Sequence, residues 1–327
     1  MKGIYVKSKY TLLLALILMK CEKKIIYFLN EELKKEIYFD ESKVIWIKEY
    51  KEFNYLIRKY KQWRLNNKLI NLLENIEMIY LQDHISYSQF FLNNFNKNIY
   101  LLEDGTMNYN RKILEEENNR EIKKIRINHF IKKVIIEKRK KDYKRFGLSE
   151  KIKKVYLTGL FSTPDLIKNK VEIINLSEKW EALTRNEQNE ILEVFNISTE
   201  KLEKLRLEKG KVLLLTQPLS EDGIVTEEEK IEIYREIIMK QSKKNIYIKA
   251  HPREKTNYKE VFKEFNIKTI ENSFPIEICL LLDIKFEKVI TLFSTGALNF
   301  KGKSEIEFIG TKSYPKIYEQ FGDIIGE

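Results

Sequence analysis

Polar residues directly follow strand-like apolar runs at four places in the chain. The segments that contain these polar residues are LEDGT at 102–106, TQPLSEDG at 216–223, KAHPR at 249–253 and FSTG at 293–296. Ligands of open α/β sheets bind at the carboxyl ends of the strands, so chemistry is expected at these four runs. Together they supply an imidazole, carboxylates, cations and hydroxyl groups.

The His-Pro-Arg sequence is the most distinctive of these runs. The chain has three histidines, and His251 stands between Lys249 and Arg253 at the end of the run NIYIKA. Pro252 fixes φ and removes a backbone donor, which ends the strand and holds the imidazole at the sheet edge. An imidazole among cations can contact a phosphate and protonate a leaving group. The alternative interpretation is a histidine in a turn before a helix.

Ser294 and Thr295 follow the last long strand-like run. Their hydroxyls and the backbone N–H groups of a helix start would form an anion site, or they would simply cap that helix. Glu277 lies near the start of another predicted helix, where it could accept the two hydroxyls of a ribose or stabilise the helix dipole.

Asp104 and Asp222 each occur in the sequence Glu-Asp-Gly after an apolar run. A carboxylate at this position can act as general base on a sugar hydroxyl. Asp-Gly is also common turn chemistry, which is the alternative for each residue. Thr226 and Glu229 have the spacing of a capping box and receive no functional interpretation.

Strand-like and helix-like segments alternate along the chain, which predicts βαβ units with parallel sheets. The strand-like runs are at 4–6, 25–29, 44–47, 78–81, 98–102, 155–158, 211–216, 245–250 and 288–293, with a short IKTI run at 267–270. The predicted helices are at 9–20, 51–75, 86–95, 226–241, 256–265 and 274–283, with a long polar helical region at 176–208. We expect two Rossmann-like domains that face each other across a cleft.

Composition narrows the class of protein. The 327 residues carry a net charge of +11, which suits anionic partners without selecting one. Cys21 and Cys279 match no metal or redox spacing, which favours a reducing compartment.

The apolar run 11–19 is too short to span a bilayer and lacks a cleavage site, so we expect a buried helix and a cytoplasmic protein. A nucleic-acid-binding protein is disfavoured, because the aromatic residues lie within predicted strands and helices.

The ordered set of motifs resembles the bacterial sialyltransferases of glycosyltransferase family 52, which include lipooligosaccharide sialyltransferases. The resemblance is carried by QPLSEDG at 217–223, KAHPR at 249–253 and FSTG at 293–296. It covers most of the chain and is sharpest between 211 and 297. Bacterial polysialyltransferases and other bacterial sialyltransferases share the acidic-Gly and His-Pro pair.

The resemblance implies a GT-B fold and an inverting transfer from CMP-sialic acid that uses no metal and no other cofactor. An Asp would deprotonate the acceptor hydroxyl, with Asp222 preferred over Asp104, and His251 would assist departure of the phosphate. The donor-binding residues that it implies are Thr216, Gln217, Lys249, Pro252, Arg253, Glu277, Ser294 and Thr295.

The resulting hypothesis has an acceptor-side domain at 1–175, with a basic helical insertion near 111–150, and a CMP-sugar domain at 176–327. The acceptor would be a galactose-terminated lipooligosaccharide or a related surface glycan, reached by peripheral contact with the inner membrane. The alternatives are a polysialyltransferase, a GT-B transferase of another activated acidic sugar and, remotely, a basic nucleic-acid-binding protein. A homodimer is compatible with the sequence.

Overall fold

The computed structural model divides into two compact units, Met1–Phe195 and Asn196–Glu327. The residues that the structure describes are 1–19, 22, 24–50, 55–120, 142–241 and 245–324. Residues 121–141 of the predicted basic insertion, and Cys21, lie outside these ranges.

The first unit is built on a parallel sheet, as the alternating pattern predicted. Its described strands are β1 (Lys2–Val6), β2 (Ile25–Asn30), β3 (Val44–Ile47), β4 (Met78–Leu81), β5 (Asn98–Leu102), β6 (Ile152–Leu157) and β7 (Val171–Ile173). They are ordered β3-β2-β1-β4-β5-β6-β7, and every pairing is parallel. The described helices are α1 (Lys9–Met19), α2 (Tyr55–Leu73), α3 (Ser88–Asn94), α4 (Arg111–Asn119), α5 (Leu176–Glu181) and α6 (Arg185–Val194).

Helix α1 explains the apolar run near the N-terminus. Its residues from Thr11 to Ile17 are all buried, and the helix contacts β1, β5, α5 and α6. A helix that is apolar on all sides is stable only when other elements bury each side, and these four elements bury α1. Within the described ranges, no helix is both long enough and apolar enough to cross a membrane.

The second unit repeats the parallel architecture on a smaller scale. Its described strands are β8 (Lys211–Leu215), β9 (Asn245–Lys249), β10 (Lys268–Thr269), β11 (Lys288–Thr291) and β12 (Glu305–Phe308). They are ordered β10-β9-β8-β11-β12, again with parallel pairings throughout. The described helices are α7 (Thr199–Leu207), α8 (Glu227–Met239), α9 (Tyr258–Val261), α10 (Glu277–Leu281) and α11 (Pro315–Phe321).

The long polar helical region predicted at 176–208 consists of three helices, α5, α6 and α7. Thr184 caps α6 with a capping box, which starts a new helix, and Asn196 has a positive φ of 51°, which ends it. The first unit therefore extends to Phe195, whereas the sequence placed the boundary after 175. The physical reason is that α5 and α6 contact α1.

Two helices of the second unit are shorter than predicted. The helix predicted at 256–265 is the single turn α9 followed by a 3₁₀ turn at Lys263–Phe265, and the one predicted at 274–283 is α10. Asn266 and Asp283 adopt left-handed backbone conformations, with φ of 50° and 54°, which stop the two segments.

Candidate functional site

The strand order of the first unit brings three polar loops together. Strands β1, β4 and β5 are neighbours, and the loops after their carboxyl ends carry Ser8, His84 and Asp104. Parallel strands end at the same edge of a sheet, so these side chains meet although they are far apart in sequence.

Asp104 is the centre of this first cluster. One carboxylate oxygen, Oδ1, accepts hydrogen bonds from Ser8 Oγ at 3.1 Å and Thr11 Oγ1 at 3.4 Å. The other, Oδ2, lies 2.9 Å from His84 Nε2. The backbone N–H of Asp104 donates to Asn108 Oδ1 at 2.8 Å, which fixes the turn. A carboxylate held in this way can orient or deprotonate a hydroxyl group.

His84 is cationic at neutral pH. Burial lowers the pKa of the imidazole, but the hydrogen bond to Asp104 and the negative charges of Asp104 and Asp83 outweigh burial and raise the pKa to about 9. The nearer Asp83 oxygen is 3.9 Å from Nδ1, so Asp83 acts through its charge. The ring lies against Phe146, with 5.2 Å between ring centroids. The Asp83 carboxylate in turn accepts the backbone N–H groups of Phe146 and Gly147, at 2.8 and 2.7 Å. Asp83 thereby fixes the backbone of the segment against which the imidazole lies.

The buried Glu103 side chain fixes the loop that follows β5 and carries Asp104. Its carboxylate accepts hydrogen bonds from the hydroxyls of Tyr10 at 2.6 Å and Tyr109 at 2.7 Å, and from Thr158 N at 2.5 Å. Burial raises the pKa of this carboxyl group, and the three donors oppose that rise. Glu103 joins the ends of β5 and β6 to α1, so it positions the neighbouring Asp104.

A second cluster forms at the corresponding edge of the second unit. The neighbouring strands β9, β8 and β11 end before the His-Pro run 250–253, the run 216–223 and the run 292–296. The structure thus brings together three of the four runs predicted from the sequence, while the fourth, 102–106, belongs to the first cluster.

His251 is a neutral imidazole with a defined tautomer. Its Nδ1 accepts the backbone N–H of Arg253 at 3.2 Å, so Nε2 carries the hydrogen. Burial and the nearby Arg253 cation lower the pKa of His251 to about 4, against the charges of Asp222 and Glu221. The Nε2–H group is a hydrogen-bond donor suited to an anion such as phosphate.

Asp222 and Arg253 form a two-point ion pair. The guanidinium donates to both carboxylate oxygens, with Nη2 3.0 Å from Oδ2 and Nη1 in contact with Oδ1. Asp222, Pro252 and Arg253 are all exposed residues, and the side chain of Asp222 is 29% exposed. The pair places a carboxylate and a cation beside the imidazole.

Glu254 organises the His-Pro run. Its carboxylate accepts hydrogen bonds from Thr216 Oγ1 and His251 N, both at 2.6 Å, and from the Tyr258 hydroxyl. Burial raises the pKa of Glu254, and these donors oppose the rise. This partly buried carboxyl group thereby connects the ends of β8 and β9 to α9, so Thr216 has a fixed orientation.

The buried Lys230 and the partly buried Glu221, which precedes Asp222 in the chain, form an ion pair. The Lys230 ammonium is fully buried, 2.9 Å from Glu221 Oε2 and 2.9 Å from Glu227 Oε2. Burial raises the pKa of Glu221, but the Lys255 backbone N–H and Lys230 outweigh it and lower the pKa to about 2. This pair fixes the loop 216–223 on α8.

The remaining predicted donor-binding residues lie around the same edge. The Lys249 ammonium is buried and donates to the carbonyls of Phe274, at 2.9 Å, and Glu271, so it holds the loop after β10. Gln217 donates its backbone N–H to the Tyr234 hydroxyl at 2.6 Å.

Glu277 is buried and accepts from Asn299 Nδ2 at 2.9 Å. Ser294 donates its backbone N–H to Thr291 Oγ1 at 2.9 Å. Thr295 begins the 3₁₀ turn Thr295–Phe300, which also carries Asn299. Both residues of the Ser-Thr turn are partly exposed.

Sequence reasoning did not single out His84, Glu103, Glu221 or Glu254 as site residues. Each of the four lies within a few residues of the end of a strand, and this position is the feature of the sequence that could have identified it as a site residue. Among the described residues, no group of three or more histidine, cysteine or acidic side chains is arranged to hold a metal ion.

Two parallel α/β units, each with a polar cluster at the carboxyl ends of its central strands, form a GT-B fold. The chain belongs to glycosyltransferase family 52, whose sequence model matches residues 16–313. This match confirms the resemblance inferred from the motifs.

An uncharacterized protein of Haemophilus influenzae is 38% identical over 260 residues, which are 80% of this chain and 76% of that protein. The crystal structure of an α/β-galactoside α-2,3-sialyltransferase from Photobacterium phosphoreum matches with a TM-score of 0.62 and 13% identity, over 97% of this chain and 94% of that chain. A 2,6-sialyltransferase from Photobacterium sp. JT-ISH-224, crystallised with CMP and lactose, matches with a TM-score of 0.61 and 10% identity, over 94% of this chain and 70% of that chain. At these identities, the structural likeness establishes a shared fold.

Proposed function

We propose that this glycosyltransferase is an inverting sialyltransferase that transfers sialic acid from CMP-sialic acid to a galactose-terminated glycan. The observation that carries the proposal is the His-Pro run, where the Nε2–H group of His251 lies at the carboxyl edge of the second sheet beside Asp222 and Arg253. Membership of family 52 and the shared fold with two sialyltransferases support it.

In the proposed reaction, the bond between the anomeric carbon of sialic acid and the phosphate oxygen of CMP breaks. A new bond forms from that carbon to the acceptor hydroxyl oxygen, and the hydroxyl proton passes to a carboxylate. His251 donates from Nε2 to the departing phosphate, and Arg253 neutralises part of its charge. These contacts would stabilise the leaving group without a metal ion or another cofactor.

Asp222 is the proposed general base. It lies close enough to His251 for its charge to act on that imidazole, and Arg253 holds its carboxylate in a fixed orientation. Asp104 is the alternative base, since contacts with Ser8, Thr11 and His84 orient its carboxylate. In the preferred assignment Asp104 binds and orients an acceptor hydroxyl.

The proposed acceptor is a lipooligosaccharide or a related surface glycan, which the enzyme would modify at the cytoplasmic side of the inner membrane. The first cluster contains groups that can form hydrogen bonds with sugar hydroxyls. They are a carboxylate, a hydroxyl and a cationic imidazole within hydrogen-bond distance of one another.

The test is transfer from CMP-sialic acid to lactose in EDTA by the purified full-length chain. We expect free CMP and sialyl-lactose, and a CMP affinity that exceeds those for UDP and GDP in calorimetry. His251→Ala should weaken CMP binding and lower kcat by about a hundredfold. Transfer from a UDP- or GDP-sugar, with none from CMP-sialic acid, would overturn the proposal.

The two carboxylates are distinguished by kinetics. We expect Asp222→Asn to lower kcat by about 10² to 10⁴-fold, because the general base is lost, and Asp104→Asn to raise mainly the acceptor KM. Asp283→Asn is the matched control, since Asp283 is exposed and asparagine tolerates its left-handed backbone. The reverse pattern would assign the base to Asp104.

A further inference from the structure

Helix α2 has two apolar faces, and only one of them packs into the first unit. Leu69 and Leu73 are buried in the core of that unit, as expected for a surface helix. On the outer side, Leu56, Tyr60 and Trp63 are 75%, 58% and 58% exposed. Large apolar side chains at this exposure are costly in water unless something covers them.

The exposed side chains form one continuous stripe. Leu56, Tyr60, Trp63 and Ile70 follow one another at spacings of four, three and seven residues, which places them on one side of an α-helix. The rings of Tyr60 and Trp63 are stacked, with centroids 6.1 Å apart. Tyrosine and tryptophan favour the boundary between headgroups and acyl chains, because they combine an apolar body with a polar tip.

The charge of the helix is entirely of one sign. Between Tyr55 and Leu73 it carries five cationic residues and no acidic residue. The cations are Arg58, Lys59, Lys61, Arg64 and Lys68. On a helical projection, Lys59 flanks one side of the apolar stripe and Arg64 and Lys68 flank the other. Cations beside an apolar stripe are the pattern of helices that lie in the surface of an anionic bilayer.

We propose that α2 is a membrane-surface helix that docks the protein on a bilayer carrying anionic headgroups. The apolar stripe would enter the boundary between headgroups and acyl chains, and the cations would contact lipid phosphates. A second copy of the chain fits less well, because two such stripes in contact would bring six flanking cations together. The proposal concerns binding to lipid and is independent of the sugar donor.

Tryptophan fluorescence tests the location of the stripe. The chain has three tryptophans, so the Trp46→Phe, Trp180→Phe double variant leaves Trp63 as the sole tryptophan, which is excited selectively at the long-wavelength edge where tyrosine does not absorb. With vesicles of phosphatidylglycerol and phosphatidylethanolamine, we expect a shift of its emission to shorter wavelength and reduced quenching by acrylamide. Vesicles of phosphatidylcholine alone should give a much smaller shift, and added salt should weaken binding.

Vesicle flotation with the full-length chain tests the two components separately. Tyr60→Ser combined with Trp63→Ser should lower the partition coefficient by at least about tenfold, through loss of buried apolar area. Lys59→Gln combined with Arg64→Gln should lower it by about fivefold for each cation on anionic vesicles.

The controls are Tyr38→Ser with Tyr318→Ser, two exposed tyrosines elsewhere, and Lys263→Gln with Lys285→Gln, which removes the same charge from exposed sites. Equal losses in the control variants would overturn the assignment to α2, as would an absence of binding to anionic vesicles. A Trp63 shift that depends on protein concentration without lipid would overturn it in favour of self-association. None of these outcomes depends on whether the chain transfers sialic acid.

Discussion

At the scale of single residues, His251 and His84 show how surroundings set the charge of one residue type. Burial and Arg253 lower the pKa of His251 to about 4, whereas Asp104 and Asp83 raise that of His84 to about 9 despite burial. At pH 7 one ring is neutral and the other is cationic. The neutral ring is the one proposed to meet a phosphate.

We expect CMP binding to be coupled to proton uptake by His251. A phosphate beside Nε2 favours the charged imidazolium, so the pKa of His251 should rise from about 4 in the unliganded protein toward neutrality in the complex. Between those two values the complex binds more protons than the unliganded protein, so affinity should increase as the pH falls. Calorimetry in buffers of different ionisation enthalpy measures the uptake.

His251→Gln is the control for this measurement, because the phosphate of CMP also takes up a proton near pH 6. The prediction concerns the difference between the unmodified chain and the variant. Identical proton uptake by both would mean that His251 stays neutral and acts only as a hydrogen-bond donor.

At the scale of elements, the loop 216–223 depends on helix α8 for its position. Lys230 of α8 is fully buried between Glu221 and Glu227, and Glu221 directly precedes Asp222. The residues that carry the proposed chemistry are therefore supported by a charge pair that takes no part in it.

We expect Lys230→Met to lower the free energy of unfolding by about 3 kcal/mol, because it leaves the partly buried Glu221 carboxylate without its cation. Lys204→Met, which removes an exposed partner of Glu200, is the matched control and should change little. Urea denaturation followed by circular dichroism measures both. Equal effects of the two substitutions would contradict a supporting role for the Glu221–Lys230 pair.

At the scale of the whole molecule, the two units have the same parallel architecture and different polar clusters. The first unit presents Asp104 with His84, and the second presents His251 with Asp222 and Arg253. The proposed division of labour is acceptor binding by the first unit and nucleotide binding by the second.

We expect CMP to slow amide hydrogen exchange mainly in the second unit, at the ends of β8, β9 and β11. Openings that release the ligand should become about a hundredfold rarer when CMP is present at a hundred times its Kd. Exchange measured by mass spectrometry with and without CMP tests this expectation. His251→Ala should reduce the effect, and protection confined to the first unit would contradict the division.

Much of the architecture follows from local sequence patterns. Short β-branched runs with polar residues after them predicted the strands and their carboxyl ends, because strand-forming side chains and turn residues act over a few positions. The capping box at Thr226 and Glu229 likewise predicted the start of α8, which the structure confirms. The boundary between the two units was predicted after residue 175 but lies after Phe195. It depends on the contacts of α5 and α6 with α1, which is distant in sequence, so local patterns do not reveal it.

The sequence by itself determined the family, the two parallel α/β units and the His-Pro run as the point of interest, since each depends on residues close together in the chain. Only the tertiary structure paired Asp222 with Arg253, Asp104 with His84 and Glu254 with Thr216. Only the tertiary structure shows that the Lys249 ammonium donates hydrogen bonds to backbone carbonyls. The physical reason is that these partners lie on different loops, and loops meet according to the order of the strands in the sheet, which local patterns do not encode.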